Sequence, residues 1–174
     1  VESCREGLDV QAALYGMQRM TSDSAEVRAM LLTLVPKVED CKETFDAQNV
    51  GNALYGMHRM SNDSSEVGVM LLALVSKVES CTETMEVRAV SNSLYGMQGM
   101  SSDSAEVRAM LLALLPKVEN SREVSAQEVG NALHGMQGMS SDRMEVRAML
   151  SALISRVESC REILDAQAIG NALY

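Results

Sequence analysis

Apolar residues recur along this chain with the spacing of α-helices, in a short segment followed by a longer one. In residues 46–60 they fall at i, i+3, i+4 and i+7, at Val50, Ala53, Leu54 and Met57. A second stripe with the same spacing runs from Val67 to Val78. This is the spacing of one face of a helix with about 3.6 residues per turn. The pattern predicts two amphipathic helices, helix A and helix B, separated by a break at Ser61 and Asn62.

The two stripes return along the whole chain, each time with a four-residue marker near the end of helix A. The marker is Leu-Tyr-Gly-Met, with histidine replacing tyrosine once, and it occurs at 14–17, 54–57, 94–97 and 133–136. Leu173 and Tyr174 begin a fifth copy, and the copies are 40, 40, 39 and 40 residues apart. A fixed period of about 20–50 residues is typical of solenoids, in which each unit buries its apolar face against its neighbours.

We therefore predict an all-α fold, an α-solenoid of about four 40-residue helix-turn-helix repeats in a right-handed superhelical stack. The array is a single domain over residues 1–174, with units at about 1–41, 42–81, 82–121 and 122–160 and the start of a fifth at 161–174. Because both ends fall within a unit and neither supplies a polar capping repeat, we expect a fragment of a longer repeat protein.

Two features predict where helix B begins and ends. Asp63 lies just before the apolar stripe and Glu66 follows three residues later, which is the spacing of a capping box with aspartate at the cap. The same pair recurs in the other units, at Asp23/Glu26, Asp103/Glu106 and Asp142/Glu145. Pro36 and Pro116 fall late in two copies of helix B. Those two helices are therefore predicted to kink or stop there.

Methionine and cysteine supply apolar volume at recurring positions. The 14 methionines form three columns, for example Met57, Met60 and Met70, which predicts core residues and not a cofactor site. The cysteines occur once in most units, at Cys4, Cys41, Cys81 and Cys160. Neighbouring helices lie about 8–10 Å apart, which is too far for disulfides. We predict buried thiols in a reducing, intracellular compartment, with no metal and no cofactor.

The chain is acidic, with 15 Lys and Arg against 24 Asp and Glu, a net charge of −9. This balance is the opposite of the basic surface typical of nucleic-acid-binding proteins. Basic residues nevertheless recur in the first turn of helix B and near its end, at Arg28, Arg108, Arg147, Lys37, Lys77, Lys117 and Arg156. We interpret both sets as structural, since cations near a helix C-terminus stabilise the helix dipole.

No feature of the sequence predicts an enzyme or a membrane protein. His58 and His134 lack acid or nucleophile partners nearby in the sequence, and no glycine-rich loop follows a strand. The longest apolar run, Val67 to Val75, is far shorter than the roughly 20 residues of a membrane helix. We predict no catalytic residues and no membrane span.

A polar stripe on helix A, opposite the apolar one, is the candidate binding surface. In the second unit it consists of Asn52, Tyr55 and Arg59, at i, i+3 and i+7. With their equivalents the candidate residues are Tyr15, Arg19, Asn52, Tyr55, Arg59, Asn92, Tyr95, Asn131, His134, Asn171 and Tyr174. If the copies of helix A line an inner surface, these residues form a ladder of one amide and one ring per unit.

Two interpretations of this ladder stay open, and both can hold. In the structural one, asparagine side chains tie adjacent helices together, while Gly56 and its equivalents let the backbones approach closely. In the functional one, the ladder lines a groove in which rings stack on bases and amides read base edges or backbone. The stripe is nearly uniform between units, which suits a monotonous ligand or a helical protein partner better than a one-base-per-unit code.

The first helix of each unit also resembles that of a known repeat family. Residues 125–139 read Ser-Ala-Gln-Glu-Val-Gly-Asn-Ala-Leu-His-Gly-Met-Gln-Gly-Met. This segment and residues 46–57 resemble the first helix of octotricopeptide-like repeats, which with heptatricopeptide repeats and FAST-kinase-like proteins are organellar α-solenoids associated with RNA. Gln127, Glu128 and Asn131 fall in step with the family pattern, although tyrosine stands where tryptophan is usual. The resemblance implies RNA binding and a chloroplast or mitochondrial location.

Together these features predict a non-catalytic recognition module. Its partner is a protein or a larger assembly for which the chain is a scaffold. The alternative, implied by the resemblance, is single-stranded RNA bound in the helix A groove. The acidic charge favours the protein partner.

Overall fold

The computed structural model describes residues 9–121, 125–159 and 170, and in this part of the chain it contains eight α-helices and no strand. Short and long helices alternate, as the repeated stripes predict. They are α1 (Val10–Gly16), α2 (Ala25–Asp40), α3 (Ala47–Tyr55), α4 (Ser65–Ser80), α5 (Val87–Tyr95), α6 (Ala105–Glu119), α7 (Ala126–Gly135) and α8 (Met144–Ser159). The odd-numbered helices are copies of helix A and the even-numbered ones are copies of helix B. Cys4 and Cys160 lie outside the described residues. So does the start of the predicted fifth unit, of which only Gly170 is described.

The helices pack in two rows, one made of the short helices and one made of the long helices. Each odd-numbered helix packs on the next odd-numbered one, and each even-numbered helix packs on the next even-numbered one. The two helices of one pair also touch, as α5 touches α6. The prediction of an all-α fold is therefore confirmed for the described residues, with helices packed against helices.

The core consists of the predicted apolar columns. Met57, Met60 and Met70 are fully buried, together with the valines and leucines of the two apolar stripes, such as Leu54 and Leu71. Cys81 is buried and Cys41 half-buried, and both are free thiols. The methionines are thus core residues, as predicted, and their flexible side chains fill the space between successive helices.

Two methionines of the first unit depart from this burial. Met20 and Met30 are 45% and 51% exposed, whereas their equivalents Met60 and Met70 are completely buried. In the later units this side of the helix pair is covered by the preceding pair. No helix in the described part of the chain precedes α1, so no described residue covers this side of the first pair.

The short helices end earlier than the apolar stripe predicts. The stripe runs to Met57 within a predicted helix A of residues 46–60, but α3 ends at Tyr55. After that, the amide of Met57 donates to the carbonyl of Leu54 at 2.9 Å, and the amide of Met60 donates to that of Met57 at 2.8 Å. These bonds span three residues, so the chain tightens into turns while the methionines still face the core.

The prediction that Asp63 caps helix B is wrong. The first non-helical residue before α4 is Ser64, and Ser24 and Ser104 hold the same position before α2 and α6. Asp63 lies in the preceding turn, where its amide donates to the hydroxyl of Ser61 at 3.2 Å. This bond fixes the aspartate one residue outside the cap.

The two prolines do not end their helices either. Pro36 lies inside α2 and Pro116 inside α6, and both helices continue beyond them. A proline removes the hydrogen bond to the carbonyl four residues earlier. Here these residues, Leu32 and Leu112, are exposed, as are both prolines. Water can satisfy the released carbonyls, so the helices tolerate the prolines near their ends.

The basic residue near the end of α4, α6 and α8 contacts the end of the preceding long helix. The ammonium of Lys77 donates to the carbonyl of Cys41, the C-cap residue that follows α2, at 2.6 Å. Lys117 donates in the same way to Cys81 after α4. The guanidinium of Arg156 donates to the carbonyl of Ser121 at 2.9 Å. Each cation thus stabilises the negative end of the neighbouring helix, which is a structural role.

The arginine in the first turn of the long helices is also structural. Arg28 donates to the carbonyls of Ser22 and Asp23 at 2.7 and 2.8 Å, which fixes the turn before its own helix. Its Nε lies 3.8 Å from a carboxylate oxygen of Glu66 on the next long helix. Arg108 repeats the arrangement, with its Nε 3.7 Å from Glu145. Each of these arginines links two successive units.

Substitution of Gly68 by arginine is expected to stabilise the protein by about 1–2 kcal/mol, because glycine inside a helix costs about 1 kcal/mol and the ion pair adds up to as much again. Gly68 holds the position of Arg28 in α4, and a β-carbon built there meets nothing closer than the side chain of Glu106 at 3.5 Å. Urea denaturation measures the change. Gly68→Ala is the control for helix propensity, and a Gly68→Arg variant less stable than Gly68→Ala at low salt would contradict the pairing with Glu106.

Candidate functional site

The aromatic rings at the ends of the short helices form a continuous stack. The ring centroids of Tyr15 and Tyr55 are 6.0 Å apart, those of Tyr55 and Tyr95 5.7 Å, and those of Tyr95 and His134 5.6 Å. The interplanar angles lie between 19° and 29°, so the rings are in the offset-stacked geometry that aromatic pairs favour. The ladder of one ring per unit predicted from the sequence is present, and its rings touch one another.

Glycine after each ring makes this stacking possible. A β-carbon added at Gly56 would lie 2.1 Å from the carbonyl oxygen of Leu14 on the preceding short helix. The same distance is found from Gly96 to Leu54. Gly135 repeats the approach against Leu94. Only glycine allows the helices to come this close, as predicted from the sequence, and the rings beside them are thereby brought into contact.

The ring spacing limits what the stack can bind. A base inserted between two rings needs two stacking distances of about 3.4 Å each, which is about 7 Å between the rings. Centroid separations of 5.6–6.0 Å leave no room for it. Most of the ring faces are therefore occupied by neighbouring rings, and the ring edges and hydroxyl groups are what a ligand would meet. Tyr15, the first ring of the stack, is 40% exposed.

A second histidine joins the stack, which the sequence analysis did not predict. The ring of His58 lies 5.0 Å from that of Tyr55 and 5.7 Å from that of Tyr95. Its Nδ1 is 2.9 Å from the carbonyl oxygen of Tyr55. The spacing i, i+3 between Tyr55 and His58 was the available signal, since residues three apart on a helical turn are neighbours.

A groove of about 880 Å³ runs along the short helices beside the ring stack. Six of the predicted site residues line it: Tyr15, Asn52, Tyr55, Asn92, Tyr95 and Asn131. They come from α1, α3, α5 and α7, so the groove crosses the successive units of the described chain. Its volume is within the range of ligand-binding sites, about 300–1,000 Å³. We call it the ladder groove.

The amides of the ladder groove differ in their partners. Asn52 donates from Nδ2 to Oε1 of Gln11 at 3.3 Å, which ties α3 to α1. Within residues 9–121 and 125–159, neither Asn92 nor Asn131 makes a side-chain hydrogen bond, and both are half-buried. The structural interpretation therefore holds at Asn52, while the two later amides offer donors and acceptors to a ligand.

The rim of the ladder groove is mainly acidic, which the sequence analysis missed. Asp46 accepts the amide of Asn49 at 2.6 Å and so caps α3, and Glu83 accepts the amide of Ala47 at 3.2 Å. Glu86 lies at the start of α5 and makes no side-chain capping bond there. Arg88 is the basic residue among the described residues that line the groove. Three carboxylates and one guanidinium give this rim a negative balance.

The remaining predicted site residues do not line the ladder groove. Arg19 and Arg59 are exposed at the far end of the stripe. His134 continues the ring stack beyond Tyr95. Asn171 and Tyr174 lie outside the described residues.

Comparison with protein families, curated proteins and solved structures gave no match to this chain. Within the described residues there is no group of histidine, cysteine and carboxylate side chains that could hold a metal ion. None of the described helices is both long and apolar enough to cross a membrane. The chemistry of the ladder groove is therefore the basis for assigning a function.

Proposed function

We propose that this chain is an α-solenoid recognition module, built from about four helix-turn-helix repeats, which binds an extended segment of a partner protein in the ladder groove. The observation that carries the proposal is the pair of half-buried amides, Asn92 and Asn131, which lie beside the ring stack without a side-chain partner in the described chain. A scaffold role in a larger assembly follows from the same mode of binding.

The groove suits a polypeptide for three reasons. A side-chain amide carries a donor and an acceptor, which match the N–H and C=O of one peptide unit. The tyrosine hydroxyls and ring edges add further polar and apolar contacts along the same line. The carboxylates of Asp46, Glu83 and Glu86 favour a segment that bears lysine or arginine, and the net charge of −9 steers such a segment toward the chain.

Single-stranded RNA is the second candidate, on the strength of the aromatic stack and the resemblance to octotricopeptide-like repeats. Base stacking on aromatic side chains is a general mode of single-strand binding. Two features argue against RNA. The acidic rim repels phosphates, and the ring spacing excludes a base between neighbouring rings. The protein partner is the better supported of the two.

Selection from a display library of short unstructured peptides is expected to enrich sequences with basic residues. Replacing Asn92 and Asn131 with alanine should weaken the affinity for an enriched peptide about fivefold to tenfold per amide, the value of one net hydrogen bond. Asn120→Ala, an exposed amide at the end of α6, is the matched control and should leave the affinity unchanged. Equal binding to all three variants would contradict the proposed groove.

The unsubstituted chain and a Tyr55→Ala variant separate a protein partner from RNA. Affinity for a pool of single-stranded RNA is measured at low and at physiological salt. The proposed function predicts no detectable binding at physiological salt. Binding that falls steeply with salt and is lost with Tyr55→Ala would instead establish the RNA candidate.

A further inference from the structure

A second, much smaller cavity lies between the last two described helix pairs. Residues of α5, α6, α7 and α8 line it, and its volume is about 10 Å³. This is close to the minimum that holds one water molecule, about 10–15 Å³. Most of its wall is apolar, formed by Val90, Val118 and Leu153 among others, but four polar residues also face it: Ser91, Ser121, Glu128 and Arg156.

Two buried polar atoms in this wall have no hydrogen-bond partner among the described residues. One is the hydroxyl oxygen of Ser91, a residue that is only 2% exposed. The other is Nε of Arg156, whose terminal nitrogen is already bonded to the carbonyl of Ser121. Leaving either group without a partner costs about 1–3 kcal/mol, so native proteins rarely do so.

The sequence explains why this junction differs from the one before it. Gly51 holds the position of Ser91 in α3, and a β-carbon there would lie 3.0 Å from the Cα of Ala89. At the next junction serine replaces this glycine, and Glu128 replaces the alanine. The carboxylate of Glu128 accepts the amide and the hydroxyl of Ser125 at 3.0 and 2.8 Å, within its own capping box. A hydroxyl is thus added at this junction, while the new carboxylate is directed toward Ser125.

The basic residue changes at the same junction. In Lys77 and Lys117 the terminal ammonium is the only donor group of the side chain, and it donates to a carbonyl at the end of the preceding long helix. Arg156 adds the Nε donor partway along its side chain; this buried donor has no partner among the described residues, and Arg156 lines the cavity. The serine and the arginine therefore bring one hydroxyl and one N–H to the same small space.

We propose that this cavity is a binding site for one water molecule that joins α5 to α8. The water accepts a hydrogen bond from Nε of Arg156 and forms a second hydrogen bond with the hydroxyl of Ser91. The hydroxyl oxygen of Ser121, which donates to the carbonyl of Val118 at 2.8 Å, retains lone pairs and supplies an acceptor for the second water hydrogen. Two or three polar partners are what buried waters in proteins typically have.

A crystal structure at a resolution that shows ordered waters tests the site directly. The expected result is one water within hydrogen-bond distance of Ser91 Oγ and Arg156 Nε. A dry cavity, or a direct bond between Ser91 and another side chain, would overturn the proposal. In Ser91→Ala, the water should be lost or its occupancy strongly reduced.

The sign of the stability change gives an independent readout. If the water is bound, Ser91→Ala removes the hydrogen bond between the hydroxyl and the water, and the equilibrium constant of unfolding rises about fivefold. If the hydroxyl has no partner, the same substitution lowers that constant, and the proposal fails. Ser93→Ala is the control in the same helix, because its hydroxyl donates directly to the carbonyl of Ala89 at 2.7 Å. That variant should raise the unfolding constant and leave the water in place.

Discussion

Substitution of alanine for Gly96 will lower the free energy of unfolding by about 3 kcal/mol, the upper part of the range for overpacked sites. The added methyl group would lie 2.1 Å from the carbonyl oxygen of Leu54, so α3 and α5 must move apart. The backbone at Gly96 is right-handed helical, with φ −59° and ψ −18°, and alanine adopts that conformation without strain. The loss therefore measures the helix contact and not glycine's backbone freedom.

Gly16 provides the matched control. It holds the same position in α1, and nothing lies within 4 Å of a β-carbon built there. Gly16→Ala should be neutral or stabilising by about 0.5–1 kcal/mol, since alanine restricts the unfolded chain and favours the helix. Chemical denaturation of both variants gives the comparison. Near-ultraviolet circular dichroism should change for Gly96→Ala alone, as the rings of Tyr55 and Tyr95 separate. Equal stability of the two variants would refute the close-approach role of Gly96.

The second large effect concerns a single unit removed from its neighbours. A peptide comprising residues 42–81 is expected to show little helix and no cooperative thermal transition. Its short helix has only nine residues, fewer than the roughly 12–15 at which isolated helices become marginally stable. Met57, Met60 and Met70 are completely buried in the full chain, where the preceding pair covers the same side of the unit. Alone, the unit would expose these side chains to water.

Far-ultraviolet circular dichroism of this peptide beside the full chain provides the measurement. A fragment of two units, 42–121, is the informative companion, because it restores the contacts of α3 with α5 and of α4 with α6. Helicity per residue should rise from one unit to two. A monomeric single unit with a cooperative melt would show that each helix pair is stable by itself, contrary to the stacking that the repeats predict.

The periodic sequence predicted the local structure well. The stripe through Val50, Leu54 and Met57 identified the short helices, and the marker glycines identified the sites of close approach. The methionine columns identified core residues. These predictions succeeded because helix periodicity and apolar burial are encoded within a few turns of the chain. They were weakest at helix ends, where Ser64, and not Asp63, holds the cap position of the long helix. The difference between adjacent polar residues at a cap is too small for a pattern to resolve.

The candidate site was predicted only in part. Asn52, Asn92 and Asn131 do line one groove with three tyrosines, as one face of helix A implied. The acidic rim was missed, because Glu83 caps the helix of the preceding unit, 36 residues earlier in the chain. Its role depends on which helix end lies beside it in space, and no local pattern carries that information.

The sequence by itself determined that this chain forms alternating short and long helices, that the methionine columns supply core residues, and that one amide and one ring recur on each short helix. Only the tertiary structure decided that the rings stack on one another, that Lys77 reaches the end of the preceding long helix, and that Asn52 is tied to Gln11 while Asn92 keeps its amide available. The physical reason is that helix formation and burial follow from neighbours within about one turn, whereas these contacts join residues of successive units. Their geometry is set by how closely the glycines allow the helices to approach.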